Sequence, residues 1–342
     1  MRILLCSHLF HPSVGGTEQV SQVLAQEFSL TGHTVKVVTS TAESDGTIFL
    51  FEVIRRPSPL KFLTLVLWSE VVFHNNISLR LCWPLAFVRR PWVIAHHTWI
   101  ARTNGSIGLR DRLKQFTIRF ARNIAVSQPV ADHLHAPSVI IGNPYRDDLF
   151  RRDPSVGRDR DLIFLGRLVR DKGVDILLDA LRLLREQNFW PGLTIAGNGP
   201  ELANLQEMVE KFQLVEQVVF VGTQTGPGLV ELLNRHRIIV VPSRCQETFG
   251  LVALEGVACG CRAIVAKSAG LVETIGELAV MCERENPVSL AHAIERTLTE
   301  EFDWETYWQL SHGKLSRFAA RAVAGKYLDV LVKAAREKLL RN

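Results

Sequence analysis

The sequence predicts an α/β protein built from two doubly wound parallel-sheet domains. Three observations carry that prediction: short, near-continuous apolar runs alternate with stretches of helical period, the alternation forms two series, and a charged, aperiodic segment separates the series. At 342 residues the chain is long enough to bury two cores. Hydrophobic residues at 47% and charged residues at 22% fit an ordinary globular protein with little room for long disorder.

In the first series the strand-like runs are 2–6, 34–39, 71–73, 92–95, 123–126 and 139–141. In the second they are 162–165, 193–196, 218–221, 238–241 and 263–266. Strands this apolar need helices over both faces of the sheet. The divider is 145–161, which is charged, contains Pro154 and Gly157 and lacks periodicity. The domains are accordingly set at 1–150 and 151–319. Ligands of open α/β sheets bind beyond the carboxyl ends of the strands, so facing domains would hold the site in a cleft between them.

The first ten residues hold one Arg and about five apolar residues before Ser7, short of a signal-peptide core. No run reaches the roughly 18 apolar residues that span a bilayer. The six cysteines lack C-x-x-C spacing, as unpaired thiols in a reducing compartment would, and the expected location is cytoplasmic.

Charge is uneven. Residues 1–150 hold 15 Lys+Arg against 10 Asp+Glu, and the remainder 25 against 25. The densest stretch, 89–122, carries Arg89, Arg90, Arg102, Arg110, Arg112, Lys114, Arg119 and Arg122 against one acid, Asp111. Within it Leu109, Leu113, Phe116 and Phe120 recur at i, i+4, i+7 and i+11, a helix with one apolar stripe. The ordinary reading is an amphipathic helix with a solvated polar face. The alternative is a surface that meets anionic lipid head groups at the inner face of a membrane, or a phosphorylated acceptor.

The most informative span is 240–273. Strand 238–241 ends at Pro242, and a helical pattern over 251–258 stops at Gly260, which leaves Glu247 in the loop and Glu255 inside the helix. Backbone N–H groups near Phe249, Gly250 and Leu251, with the helix dipole, suit a phosphate. Two carboxylates beside an anion site fit only if they bind neutral hydroxyls of the same ligand, which points to a sugar attached to a diphosphate.

Arg167 and Lys172 follow the first strand of the second series and could clamp a diphosphate without metal. Gly15 and Gly16 follow the first strand of the chain, and Gly197 and Gly199 follow strand 193–196. Neither pair has G-x-G-x-x-G spacing, which weakens a dinucleotide reading. Asp159 and Asp161 form a D-x-D before a strand rather than after one, the wrong place for a metal pair. His96 and His97 end strand-like WVIAHH, and only one of two neighbours on an extended segment can face a ligand.

These features in their order resemble family 4 retaining glycosyltransferases, which have the two-domain GT-B fold. The resemblance runs from PSVGGTEQV through IAVSQPV, IIGNPYRDDLF, GRLVRDKGVDILLDAL and IAGNGPEL to PSRCQETFGLVALEGVACG, with Glu247 and Glu255 as an E-x7-E pair. It implies that Gly166, Arg167, Lys172, Gly197, Asn198, Thr248, Phe249, Gly250 and Leu251 surround the donor, with Arg167 and Lys172 on the diphosphate. Glu247 would hold donor-sugar hydroxyls and Glu255 the ribose, with Gly15 and Gly16 near the phosphates and His97 beside the transferred sugar. The closing helix, about 320–342, would cross back onto the first domain.

The sequence departs from the family pattern at Gly256, Arg262 and Ala269, and Ala269 bears on donor choice. The resemblance implies transfer from a nucleotide-diphosphate sugar, UDP-sugar first and GDP-sugar next, with neither metal nor cofactor. The acceptor would be a sugar, a lipid-linked molecule or a small molecule. No nucleic-acid partner is expected, and the oligomeric state is left open. A nucleotide-sugar epimerase and a non-catalytic nucleotide-sugar-binding module are the competing readings.

Overall fold

The computed structural model describes residues 1–13, 15–43, 46–101 and 106–339. The chain forms two compact units, Met1–Tyr145 with Arg317–Asn342, and Arg146–Ser316.

The first unit runs β1 (Arg2–Ser7), α1 (Gly16–Leu30), β2 (Thr34–Thr39), β3 (Glu52–Arg55), α2 (Pro59–Trp68), β4 (Val71–Asn75), α3 (Leu79–Cys82), β5 (Trp92–His96), α4 (Leu109–Thr117), β6 (Arg122–Ala125), α5 (Gln128–His133) and β7 (Ser138–Ile140). Its sheet is parallel throughout, ordered β3-β2-β1-β4-β5-β6-β7, so chain direction across the sheet reverses between β1 and β4. From Ile3 to Ser7, β1 is buried on both faces, as the unbroken apolar run requires. Pro59 at the first helical position and the Ser58 hydroxyl, which accepts from Lys61 N, start α2.

The second unit runs β8 (Arg160–Leu165), α6 (Val174–Glu186), β9 (Leu193–Ala196), α7 (Leu202–Lys211), β10 (Val218–Gly222), α8 (Gly226–Arg235), β11 (His236–Val241), α9 (Leu251–Ala258), β12 (Arg262–Ala266), α10 (Ala269–Thr274), β13 (Ala279–Cys282), α11 (Pro287–Thr299) and α12 (Trp304–Leu315). Its parallel sheet is ordered β10-β9-β8-β11-β12-β13, the strand order of the dinucleotide-binding fold. Leu177, Leu181 and Leu184 of α6 bury against Ile195, Ile238 and Ile264 of the sheet. The chain then closes with α13 (Ala320–Leu339), which belongs to the first unit and packs along α1 and over β4 and β5. Buried Tyr327 of α13 meets Phe73 edge-on at 5.7 Å, and Tyr145 N donates to Phe318 O at 3.0 Å.

The eleven predicted strands are present, and two more lie at sheet edges. β3 and β13 each pair on one side only; half-buried β3 needs no apolar run, and the apolar run of β13 is only four residues long. The stripe helix also differs from its ordinary reading. Leu109, Leu113, Phe116 and Phe120 face outward, while Asp111, Gln115 and Ile118 are buried. Polar anchoring explains the inversion: Asp111 Oδ2 accepts from Gly108 N, Gln115 Nε2 donates to His133 O at 3.1 Å and Gln115 Oε1 accepts from His135 N at 3.0 Å. Among the other cations of 89–122, Arg90 donates to the carbonyls of Val66 and Leu67, Arg122 pairs with Glu337, and Arg102 lies outside the described residues.

Candidate functional site

In the second unit the predicted donor residues gather on loops at the carboxyl ends of β8, β9 and β11, beside the reversal point between β8 and β11. Gly166 leaves β8 with φ +156°, and Gly197 leaves β9 with φ +155°. A Cβ on Gly197 would lie 1.8 Å from Gly166 O, and one on Gly199 would lie 2.3 Å from Leu168 O, so the two loops touch backbone to backbone. Leu168 N donates to Asn198 O at 2.9 Å across the same seam, and the Asn198 side chain accepts from Gly199 N. These glycines thus serve a close approach of two chain segments, a role their sequence spacing did not reveal.

Lys172 ends a short 3₁₀ turn, and Gly173, with φ +68°, starts α6 directly behind it. Lys172 Nζ donates to Glu247 Oε1 at 2.6 Å, and Ser243 Oγ donates to the same oxygen at 2.6 Å. Burial pushes the Glu247 carboxyl up. The Lys172 charge and the two hydrogen bonds outweigh it and hold the group below the usual carboxylate range. The structure therefore brings together as one ion pair two residues that the sequence reading assigned to separate parts of a ligand. Arg167, in contrast, is exposed, and among the described residues it has no ion-pair partner.

The loop carrying Glu247, Thr248 and Phe249 is held at both ends. Arg244 N donates to Asp171 O at 2.9 Å, and the Arg244 guanidinium pairs with Asp175 and Glu285. Phe249 is buried, and Gly250, with φ +96°, caps α9 in a conformation that favours glycine. Leu251 opens α9, whose first N–H groups lack intrahelical acceptors, and Glu255 is buried one turn further along. Gly270 was missed by sequence reasoning. A Cβ there would lie 2.3 Å from Glu247 O, so α10 starts directly against the Glu247–Thr248 peptide.

In the first unit, Gly15 and Gly16 stand at the N-terminus of α1. Gly15 has φ 179°, and a Cβ there would meet only the movable Glu18 carboxylate. His96 and His97 diverge as strand neighbours should. His96 Nε2 faces Asn123 Oδ1 at 3.0 Å, and His97 Nδ1 faces the Asn143 side chain at 2.7 Å while its Nε2 faces Asn75 Oδ1.

Asn75 fixes the His97 tautomer. Its Nδ2 donates to Thr17 O at 2.9 Å, and a carbonyl can only accept, so Asn75 Oδ1 must take a proton from His97 Nε2. His97 Nδ1 then carries a lone pair, and the Asn143 amide must turn its NH2 toward it. Burial lowers the pKa of both histidines to about 4, so His97 is neutral at pH 7. The asparagines around His97 come from β4 and the loop after β7, and no sequence spacing marked them.

Asp159 and Asp161 are engaged elsewhere, with Arg235 and Arg237 respectively, and Asp161 also accepts from Gly192 N. Among the described residues, no three His, Cys, Asp or Glu side chains gather in a group that could hold a metal ion. No described helix is long and apolar enough to cross a membrane.

Comparison with known proteins agrees with this architecture. Residues 146–314 match the profile of glycosyl transferases group 1. An uncharacterized glycosyltransferase of Methanocaldococcus jannaschii is 34% identical over 159 residues, covering 45% of this chain and 39% of its own. The gpi3 subunit of phosphatidylinositol N-acetylglucosaminyltransferase from Schizosaccharomyces pombe is 24% identical over 92% of this chain and 76% of its own. The chain spans about two-fifths of the length of the relatives it matches first, 39% and 42%. Among solved structures, Anabaena HepE in complex with UDP aligns with a TM-score of 0.82 at 19% identity, over 97% of this chain and all of its own. The two Rossmann-like units therefore have the GT-B fold, and residues 146–314 form a glycosyltransferase group 1 domain.

Proposed function

We propose that this protein is a retaining glycosyltransferase that moves a sugar from a nucleotide-diphosphate donor, a UDP-sugar first and a GDP-sugar next, to an acceptor hydroxyl. One observation carries the reading: an exposed Arg167, the Lys172–Glu247 pair and the N-terminus of α9 share the loop edge of a glycosyltransferase group 1 domain. Breaking the anomeric C–O bond leaves negative charge on the diphosphate. Arg167, Lys172 and the α9 N–H groups are donors suited to that charge without metal or cofactor. Glu247, held ionised, accepts from sugar hydroxyls, and Glu255 from the ribose. The acceptor oxygen bonds to the anomeric carbon on the face the phosphate leaves, and a phosphate oxygen takes the acceptor proton.

In the first unit, His97 beside the transferred sugar would present a neutral ring, its two nitrogens held by Asn75 and Asn143 and its protonation opposed by burial. The Gly15–Gly16 turn would admit the phosphates. The likeness to the gpi3 subunit over 92% of the chain favours a lipid-linked acceptor over a free sugar or small molecule. Four of the six unpaired cysteines are buried thiols, which supports a reducing, cytoplasmic setting.

A donor-hydrolysis assay tests the reading. Nucleotide release with free sugar supports transfer, an altered sugar still attached to nucleotide supports epimerisation, and binding without turnover supports a recruitment module. Lys172→Ala and Arg167→Ala should each lower turnover by orders of magnitude, and near-normal transfer by either variant would remove the clamp assignment. A thermal-shift screen of UDP-, GDP- and ADP-sugars identifies the donor, since a ligand at 100 times its dissociation constant stabilises by about 2.7 kcal/mol.

A further inference from the structure

We propose that α4 is a docking helix that seats the first unit on an anionic lipid surface. The helix turns its apolar stripe outward, an orientation no sequence period could supply. Leu109, Leu113, Phe116 and Phe120 are exposed by 84%, 50%, 55% and 69%, and they form one continuous stripe along α4 and the 3₁₀ turn that follows it. Ile107, just before the helix, is exposed as well. Phe116 and Phe120 contact each other edge-on at 5.3 Å, so the rings make a single outward apolar patch.

Folding alone does not account for this face. The opposite side of the helix holds it to the unit through Gln115, which bonds the backbone of His133 and His135, and through buried Ile118. Polar anchoring inward with apolar presentation outward reverses the usual arrangement of a surface helix.

Charge complementarity identifies the occupant. At 100° per residue, exposed Arg112 and Arg119 flank one edge of the stripe and exposed Arg110 flanks the other, while half-buried Lys114 lies further round the helix and pairs with Asp111 at 3.8 Å. The single acid, Asp111, is buried at the capping position and does not enter the face. An apolar stripe with arginines at both edges is the pattern of a helix lying in a bilayer interface, with rings at acyl level and cations among head-group phosphates. A second protein chain would have to bury three cations beside the rings, whereas a lipid surface leaves them at the water boundary.

The test is co-sedimentation of the full chain with phosphatidylcholine vesicles, with and without phosphatidylglycerol. Binding is expected only to the vesicles with phosphatidylglycerol and should weaken as salt rises. Arg110→Gln, Arg112→Gln and Arg119→Gln should each reduce it roughly fivefold. Phe116→Ser and Phe120→Ser should reduce it about tenfold per ring, and this loss should persist in high salt because apolar burial is not screened.

Equal binding to neutral vesicles, or none to anionic vesicles at low salt, overturns the proposal. So does a lipid-free dimer, seen by light scattering, that Phe116→Ser abolishes, because the patch would then belong to a second copy. The wild-type comparison decides the matter even if a variant fails to fold. No donor enters this assay, so its failure is distinct from failure of the glycosyltransferase reading.

Discussion

The two units share a topology and differ in the chemistry at the same topological position. Beside the β1/β4 reversal of the first sheet, polar contacts are made by neutral groups: Ser7 with Ser21 at 2.8 Å, Asn75 with Ser21, and His97 between Asn75 and Asn143. Beside the β8/β11 reversal of the second, they are ionic: Lys172 with Glu247, and Arg244 with Asp175 and Glu285. In each sheet the strand order fixes where a ligand can approach, and the loop residues decide which chemistry that edge could hold. Under the proposed function the cationic loop would hold the diphosphate.

The largest effect should come from acid. Burial lowers His74, His96 and His97 in the first unit to about 4, against His236 alone in the second. A histidine whose folded pKa lies below its unfolded value of about 6.5 loses stability as pH falls, because the unfolded chain binds the proton first. Each such group should cost on the order of 2 kcal/mol at pH 5. Amide hydrogen exchange at pH 7 and pH 5 should therefore show β4 and β5 losing protection before β8 and β11. Equal loss in both units would break the contrast.

Glycine substitutions give the next largest effect. Gly197→Ala drives a Cβ into Gly166 O and should cost about 3 kcal/mol or more in urea unfolding. Gly15→Ala needs only a turn of Glu18 and should cost about 1 kcal/mol at most. Similar costs would mean that the two glycine loops do one job rather than two.

A smaller effect should come from Lys172→Met, which leaves Glu247 with Ser243 alone and should cost about 1–3 kcal/mol near neutral pH. Glu247 is held below the ordinary carboxylate range, so the stability it contributes is present above that range and falls away as pH drops through its folded pKa. Urea titrations from pH 7 to pH 3 should show a shallower acid dependence in the variant. An unchanged slope would mean that Lys172 does not set the ionisation of Glu247.

Central strands and the charged loop were legible in the sequence because buried strands demand apolar runs and isolated cations after a strand stand out. The edge strand β3 was not, since a half-buried segment such as Glu52–Arg55 carries no such demand, and β13 is an apolar run of only four residues. Individual site residues were readable as types but not as partners. Nothing local links Lys172 to Glu247 across 75 residues, or His97 to Asn143 across 46. The period of α4 revealed an apolar stripe but not its direction, which Gln115 decides through backbone groups at the end of α5 and just after it.

The return of α13 to the first unit also sets an order of events during synthesis. Its first 145 residues leave the ribosome with Phe73 still lacking Tyr327, and 171 residues of the second unit, Arg146–Ser316, must emerge before α13 arrives. The second unit can complete its core on the way. Until then the first lacks the helix that packs over β4 and β5, so an expressing cell's chaperones should meet that face, and a chain that stalls before Ala320 should keep it uncovered.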